Sequence, residues 1–209
     1  MTRLPALWLA CALLGAQSVL AGTIDTDFLR QPWPKQRVHE TEVGRHAVRW
    51  RERASKQDGI FAGVRFSVPL GRQTTWNLAN EYQEIGTMTP GVTAVRVIEQ
   101  SENRQVIQID VKVLWKTLRL NFEVEQEPPS AIRFRLANQA LGEYRGLCAF
   151  EERPDAGGET AAATDVELVT WLKPARPVPA GLLLLAERIA LLQGTRKFLE
   201  ACDRSGSSH

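Results

Sequence analysis

The sequence predicts an α+β domain in which an antiparallel sheet is followed by one long C-terminal helix. Three observations carry that prediction. Across residues 92–170 apolar and polar side chains alternate with a period of two, as strands with one buried and one wet face require. Turn residues interrupt the alternation at short intervals, at Ser101-Glu102-Asn103 and Pro128-Pro129-Ser130. After Pro177-Val178-Pro179 the period becomes helical, with Leu185, Ile189, Leu192, Leu199 and Cys202 falling on one face.

The elements follow in order. Residues 22–44 read as an irregular strap, broken by Pro32, Trp33 and Pro34. The domain proper spans residues 45–203, before a polar tail at 204–209. Residues 46–51 and 60–68 alternate and pair as a hairpin across the polar stretch 52–59. Residues 72–85 form a helix with Trp76, Leu78, Ala79, Tyr82 and Ile85 on its apolar side, and Met88, Pro90 and Gly91 mark a further short helix or turn. In the strands that follow, Ile107, Ile109, Val111, Val113 and Trp115 share an inner face. Leu118, Leu120, Phe122 and Val124 continue it, then Ile132, Phe134 and Leu136, then Tyr144, Gly146, Cys148 and Phe150, and finally Val166, Leu168 and Thr170. The charges between them, Arg119, Glu123, Arg133 and Arg135 among them, read as a solvated outer face. The helix runs from about Ala180 to Asp203, and its four leucines at 182–185 offer more apolar surface than one packing face needs. Gly194 costs about 1 kcal/mol relative to alanine inside a helix and points to a bend or a close approach to the sheet.

Residues 1–21 read as an export signal. Arg3 supplies a positive start, residues 4–16 an apolar run too short to span a bilayer, and Val19 and Ala21 a cleavage site. Cleavage after Ala21 removes one charge and makes the protein secreted, most simply periplasmic. The whole chain carries 26 Lys+Arg against 24 Asp+Glu, so no global field attracts a polyanion and no nucleic-acid partner is expected. No other segment approaches eighteen consecutive apolar residues, so no transmembrane segment is expected and membrane contact is at most transient. Export leaves Cys148 and Cys202, which either form one bridge or stay reduced and buried. Both fall on inward faces. A bridge would clip the end of the helix to the sheet, worth roughly 4 kcal/mol by chain entropy.

The catalytic inventory is thin. The three histidines have no zinc spacing, and no nucleophile elbow, P-loop or dinucleotide fingerprint occurs. The inward faces show no carboxylate pair to divide acid and base roles. No catalytic residue, metal or cofactor is therefore assigned. Tyr82, Tyr144 and Thr170 are the inward groups able to hydrogen-bond a ligand oxygen.

The order of elements resembles the helix-grip fold of the START-like superfamily (SRPBCC), within it the polyketide cyclase/dehydrase and coenzyme-Q-binding START-domain group. The local likeness runs through Val68-Pro69-Leu70-Gly71, Trp76, Glu81-Tyr82, Pro90-Gly91-Val92 and Val95-Arg96-Val97. Glu81 stands where an aspartate is usual before the tyrosine, a slight departure from the pattern. In Tyr144-Arg145-Gly146-Leu147-Cys148-Ala149-Phe150 the cysteine stands where a large aromatic is common, which reshapes the interior. The resemblance covers residues 45–202 and is specific for fold, weak for function.

It implies a curved antiparallel sheet wrapped around the C-terminal helix, with a space between them suited to an apolar ligand. Its expected walls are Trp76, Tyr82, Met88, Ile109, Val111, Val113, Trp115, Leu120, Phe122, Phe134, Tyr144, Phe150, Leu168, Leu185, Ile189 and Leu192. Three functions follow: a non-catalytic carrier of a lipid, isoprenoid, quinone or sterol-like molecule; a polyketide-cyclase-type enzyme; or an interaction scaffold with a filled core. An inward Arg96 or Arg119 would favour the enzyme. A solid core with an exposed patch at Leu29 and Trp33 would favour the scaffold.

Overall fold

The computed structural model describes residues 23–81, 86, 91–113, 115–137, 142–153 and 163–206. The expected export signal, Tyr82, Met88 and the last residues of the tail lie outside them. Among the described residues the strands are β1 (Arg37–Val43), β2 (His46–Ser55), β3 (Gly59–Val68), β4 (Val92–Gln100), β5 (Arg104–Val113), β6 (Lys116–Glu127), β7 (Ala131–Leu136), β8 (Gly142–Arg153) and β9 (Ala163–Pro174). The helices are α1 (Asp27–Arg30), α2 (Arg72–Ala79) and α3 (Ala180–Gly206).

All nine strands form one sheet in the order β1-β2-β3-β9-β8-β7-β6-β5-β4, and every pairing is antiparallel. The chain lays down β1 to β3, crosses through α2 to the far edge, and returns strand by strand until β9 closes against β3. The sheet curves, and α3 packs against β3 and β2 on its inner face. The α+β helix-grip architecture expected from the sequence is the one observed. Alternation fixes which side chains turn inward, because a one-residue slip would put a whole strand's apolar set into water.

The inner core gathers Val48 and Trp50 from β2, Val64 and Phe66 from β3, Phe150 from β8, Val166 from β9, and Leu191, Phe198, Leu199 and Cys202 from α3. The end of α3 is tied down by Asp203, which accepts from the Arg45 guanidinium at 2.8 Å and lies 3.0 Å from His46 Nε2. Gly194 neither approaches the sheet nor touches another element, since a Cβ added there would meet nothing within 4 Å. The close approach expected of it is absent.

A second core lies on the opposite face of the sheet, where the alternation had suggested only water. Leu29 and Trp33 pack there on Phe61, Ala131, Leu147 and Val169, with Phe28 and Trp171 at the rim. Arg51 stacks over the Trp33 ring, 4.2 Å from its centroid, and the Ile24 amide donates to Glu125 at 2.8 Å. The strap is thus a packed element. It is also shorter than expected, because residues 37–43 form the edge strand β1. Elsewhere the outer charges pair across strands, Asp110 with Arg119 and Arg96, and Glu123 with Arg135.

Cys148 and Cys202 are free thiols. The bridge considered from their shared inward orientation is not formed. Cys148 sits mid-strand between Ile132 and Leu168, whereas Cys202 lies at the far end of α3, beside the Asp203 anchor to the start of β2.

Candidate functional site

Between α3 and the far half of the sheet lies a cavity of about 390 Å³. It is lined by Ala79 of α2, Gly86, Val95, Ile107, Ile109, Phe122, Val124, Ile132, Phe134, Tyr144, Cys148, Leu168 and Thr170, and by Ala190 and Leu191 of α3. No Lys, Arg, His, Asp or Glu is among these side chains. The cavity exists because β4 to β8 curl away from the helix while α3 packs its C-terminal half on β2 and β3.

An aromatic wall shapes one side. The rings of Phe122, Phe134 and Tyr144 lie with centroids 6.0 to 6.2 Å apart. Gly146 faces Phe134 across the β7–β8 pair, and a Cβ there would run into the Phe134 ring. The glycine lets the ring lie against bare backbone.

One corner of the site is polar. Glu187 of α3 stands three and four residues before Ala190 and Leu191, hence on the same helix face. Its Oε2 accepts from the Thr170 hydroxyl at 3.1 Å and from the Tyr144 hydroxyl at 3.5 Å. Burial pushes the Glu187 carboxyl above the usual carboxylate range, although both hydrogen bonds oppose the rise. Burial, reinforced by the adjacent carboxyl, pushes the Tyr144 hydroxyl well above the usual tyrosine range. The Cys148 thiol is pushed up to about 12, first by burial and then by Glu167, so it carries little thiolate.

A second inward carboxylate, Glu52, lies further along the sheet. It is buried and held by Arg188, at 2.7 Å to both of its oxygens, and by the Trp50 indole at 3.1 Å. Burial pushes its carboxyl up, but Arg188 and Trp50 outweigh burial and hold it below the ordinary range. The expectation of inner faces free of carboxylates is thus corrected twice. β2 runs on to Ser55, which brings Glu52 onto the inner face, and α3 turns Glu187 inward.

Of the walls expected from sequence, Ile109, Phe122, Phe134, Tyr144 and Leu168 line the cavity. Phe150 is buried in the solid core, while Trp76 and Leu192 pack against it. Val111 and Leu120 are half-buried without reaching the cavity, and Val113 is described in its backbone alone. Trp115 is 81% exposed because it sits in the tight β5–β6 turn, beyond the end of the inner face. Leu185 and Ile189, at 50% and 47% exposed, lie on the solvent side of α3. The seam read from sequence holds at Leu199 and Cys202, which are buried, but its N-terminal members lie off the face that packs. Arg96 and Arg119 both reach Asp110 on the outer face, and Leu29 and Trp33 are buried.

Among the described residues no group of His, Cys, Asp and Glu is placed to hold a metal ion, and no helix is long and apolar enough to cross a membrane.

A sheet gripping a terminal helix over an apolar cavity defines the START-like class of ligand-binding folds. The chain belongs within it to the polyketide cyclase/dehydrase and lipid transport family, whose model matches residues 68–198. Among curated protein sequences none matches. Similar solved structures include a STAR-related lipid transfer protein from Xanthomonas axonopodis, at TM-score 0.61 and 11% identity, covering 80% of this chain and 98% of that one. An aromatase/cyclase from a Streptomyces species aligns at TM-score 0.55 and 15% identity over 69% of this chain and 93% of that one. A START superfamily protein from Mycobacterium smegmatis aligns at 0.57 and 9% over 69% and 97%. At these identities the likeness is one of fold.

Proposed function

We propose that the protein binds one lipid-like small molecule between α3 and the sheet and carries it without chemical change, as a secreted and periplasmic carrier. The observation that supports this most directly is the cavity itself. About 390 Å³ of space walled by aliphatic and aromatic side chains favours a ligand whose affinity comes from buried apolar area. The lipid-transfer relative shares the fold, and the burial of Leu29 and Trp33 leaves the scaffold reading without its patch.

A polyketide-cyclase-type enzyme is the second reading, favoured by Glu187, a carboxyl whose burial suits a general acid. Against it, the charge of Glu52 is taken up by Arg188, which leaves no partner for Glu187 to divide acid and base roles with among the described residues.

Native mass spectrometry of protein purified from its own host, with extraction of the bound fraction, tests both readings. A carrier returns an apolar ligand of unchanged mass after incubation, whereas a cyclase returns one that has lost water. Cys148→Phe, which fills the cavity floor, is expected to abolish ligand retention while far-UV circular dichroism stays native. Protein that is reproducibly empty, or a filled variant that retains ligand, overturns the carrier reading.

A further inference from the structure

The polar corner restricts which lipid-like molecules fit, an argument that rests on the binding function proposed above. Thr170 and Tyr144 both line the cavity, and both direct their hydroxyls to the same oxygen of Glu187, Oε2. That leaves Oε1 for a partner outside the described protein groups. The Thr170 hydroxyl also lies 3.4 Å from the Ala62 carbonyl, and its single proton serves one acceptor at a time. When it turns to Ala62, a protonated Glu187 donates to Thr170 in its place.

The charges around Glu187 are equally informative. Arg188, the next residue, turns to Glu52, and no cationic side chain lines the cavity among the described residues. A carboxylate or phosphate entering this corner would therefore find no cation among the described residues to offset its charge. Burying such a charge unpaired costs several kcal/mol in order of magnitude. A pure hydrocarbon would leave Glu187 Oε1 without a partner among the described residues. A hydroxyl or carbonyl satisfies it: the hydroxyl donates to or accepts from Glu187, and the carbonyl accepts from the protonated carboxyl or from Tyr144. Burial, which favours the neutral form of Glu187, agrees with that chemistry.

We propose that Glu187, Tyr144 and Thr170 form the recognition site for a neutral polar end of the ligand, a hydroxyl or carbonyl, and that they select against anionic amphiphiles such as fatty acids and phospholipids. The carrier is thus one for neutral lipids bearing an oxygen function at one end.

The test is displacement of Nile red from the full chain at pH 8 by four probes of one chain length: 1-decanol, 2-decanone, decanoate and decane. Decanol and decanone are expected to bind at least about tenfold tighter than decanoate, the discrimination of one satisfied against one unsatisfied polar contact. Glu187→Gln keeps a neutral hydrogen-bonding group, so decanol affinity holds within about threefold while decanoate gains. Glu187→Leu loses about tenfold for decanol and decanone and leaves decane unchanged or tighter. Thr170→Val and Tyr144→Phe lower the decanol-to-decane ratio in the same direction, and supply the reading if Glu187→Leu does not fold. Decanoate binding as tightly as decanol, or ratios unmoved by these variants, overturns the neutral-lipid inference and leaves the carrier function standing. Failure of Nile red and all four probes to bind overturns the carrier function and the inference with it.

Discussion

The two halves of α3 share one apolar periodicity and have opposite fates. Residues 191–206 bury Leu191, Thr195, Phe198, Leu199 and Cys202 against β2 and β3 and end in the Asp203 anchor to Arg45 and His46. Residues 180–190 expose Leu182 at 59%, Leu185 at 50% and Ile189 at 47%. They turn Glu187 and Ala190 inward, toward a cavity in place of a core. The difference teaches that a helix is held by what lies beneath it more than by its own pattern. One half is a structural rivet and the other a roof.

The largest expected effect comes from breaking the rivet. Phe198→Ala removes a buried ring whose centroid lies 6.0 Å from that of Phe66. It should cost about 3–5 kcal/mol in urea unfolding, while Leu185→Ala on the roof stays within about 0.5 kcal/mol. Equal costs at the two positions would erase the distinction between the halves. Next comes the joint between them, where Arg188→Ala strands the buried Glu52 carboxylate and should lose about 2–3 kcal/mol, part of it recovered by adding Glu52→Gln. Hydrogen exchange sharpens the contrast without mutation. Amides of residues 184–190 should exchange at least about tenfold faster than those of 195–202, and ligand should slow the first set selectively. Uniform protection along α3 would contradict a loosely seated roof.

The smallest effects concern pH, and they have opposite signs in the two halves. Glu187 has its folded pKa raised, so the folded chain holds more protons than the unfolded one between 4.5 and that raised value. Its contribution is fully present below 4.5 and declines as pH rises through the folded pKa. Glu187→Gln should therefore melt above wild type at pH 8, with the gap closing toward pH 4. For Asp203, burial raises the carboxyl but the hydrogen bonds of Arg45 and His46 outweigh it, and the net shift is downward. Its contribution is present above 3.8 and lost as pH falls through the folded value. Asp203→Asn should therefore lower the melting temperature at pH 7 and leave it unchanged at pH 2.5. Matching pH profiles for the two variants would show that one carboxyl is misread.

The sheet was legible from sequence because β5 to β9 are mostly half-buried, and half-burial writes period-two alternation into the chain. β1 was not, because six of its seven residues are exposed and an edge strand without a packed face carries no such signal. The outer core was hidden for the opposite reason. β3 is apolar on both faces, and Phe61 reads as part of a continuous run until Leu29 and Trp33 are seen to cover it. Five walls of the cavity, Ile109, Phe122, Phe134, Tyr144 and Leu168, followed from strand parity once the resemblance implied a space beneath the helix. The helix contributions did not, since an apolar stripe has several admissible phases and four consecutive leucines favour none. Glu187 was missed because a charged helical residue is ordinarily assigned to water. Its four-residue steps to Leu191 and Thr195 were the available signal.

Gly146 has a consequence for capacity. Phe134 rests where a side chain at 146 would otherwise stand, so even one added methyl would push the ring toward the interior it borders. The width of the cavity is therefore set in part from behind the wall, by a residue that does not line it. A single backbone position can thus narrow the space between sheet and helix without altering any group that lines it.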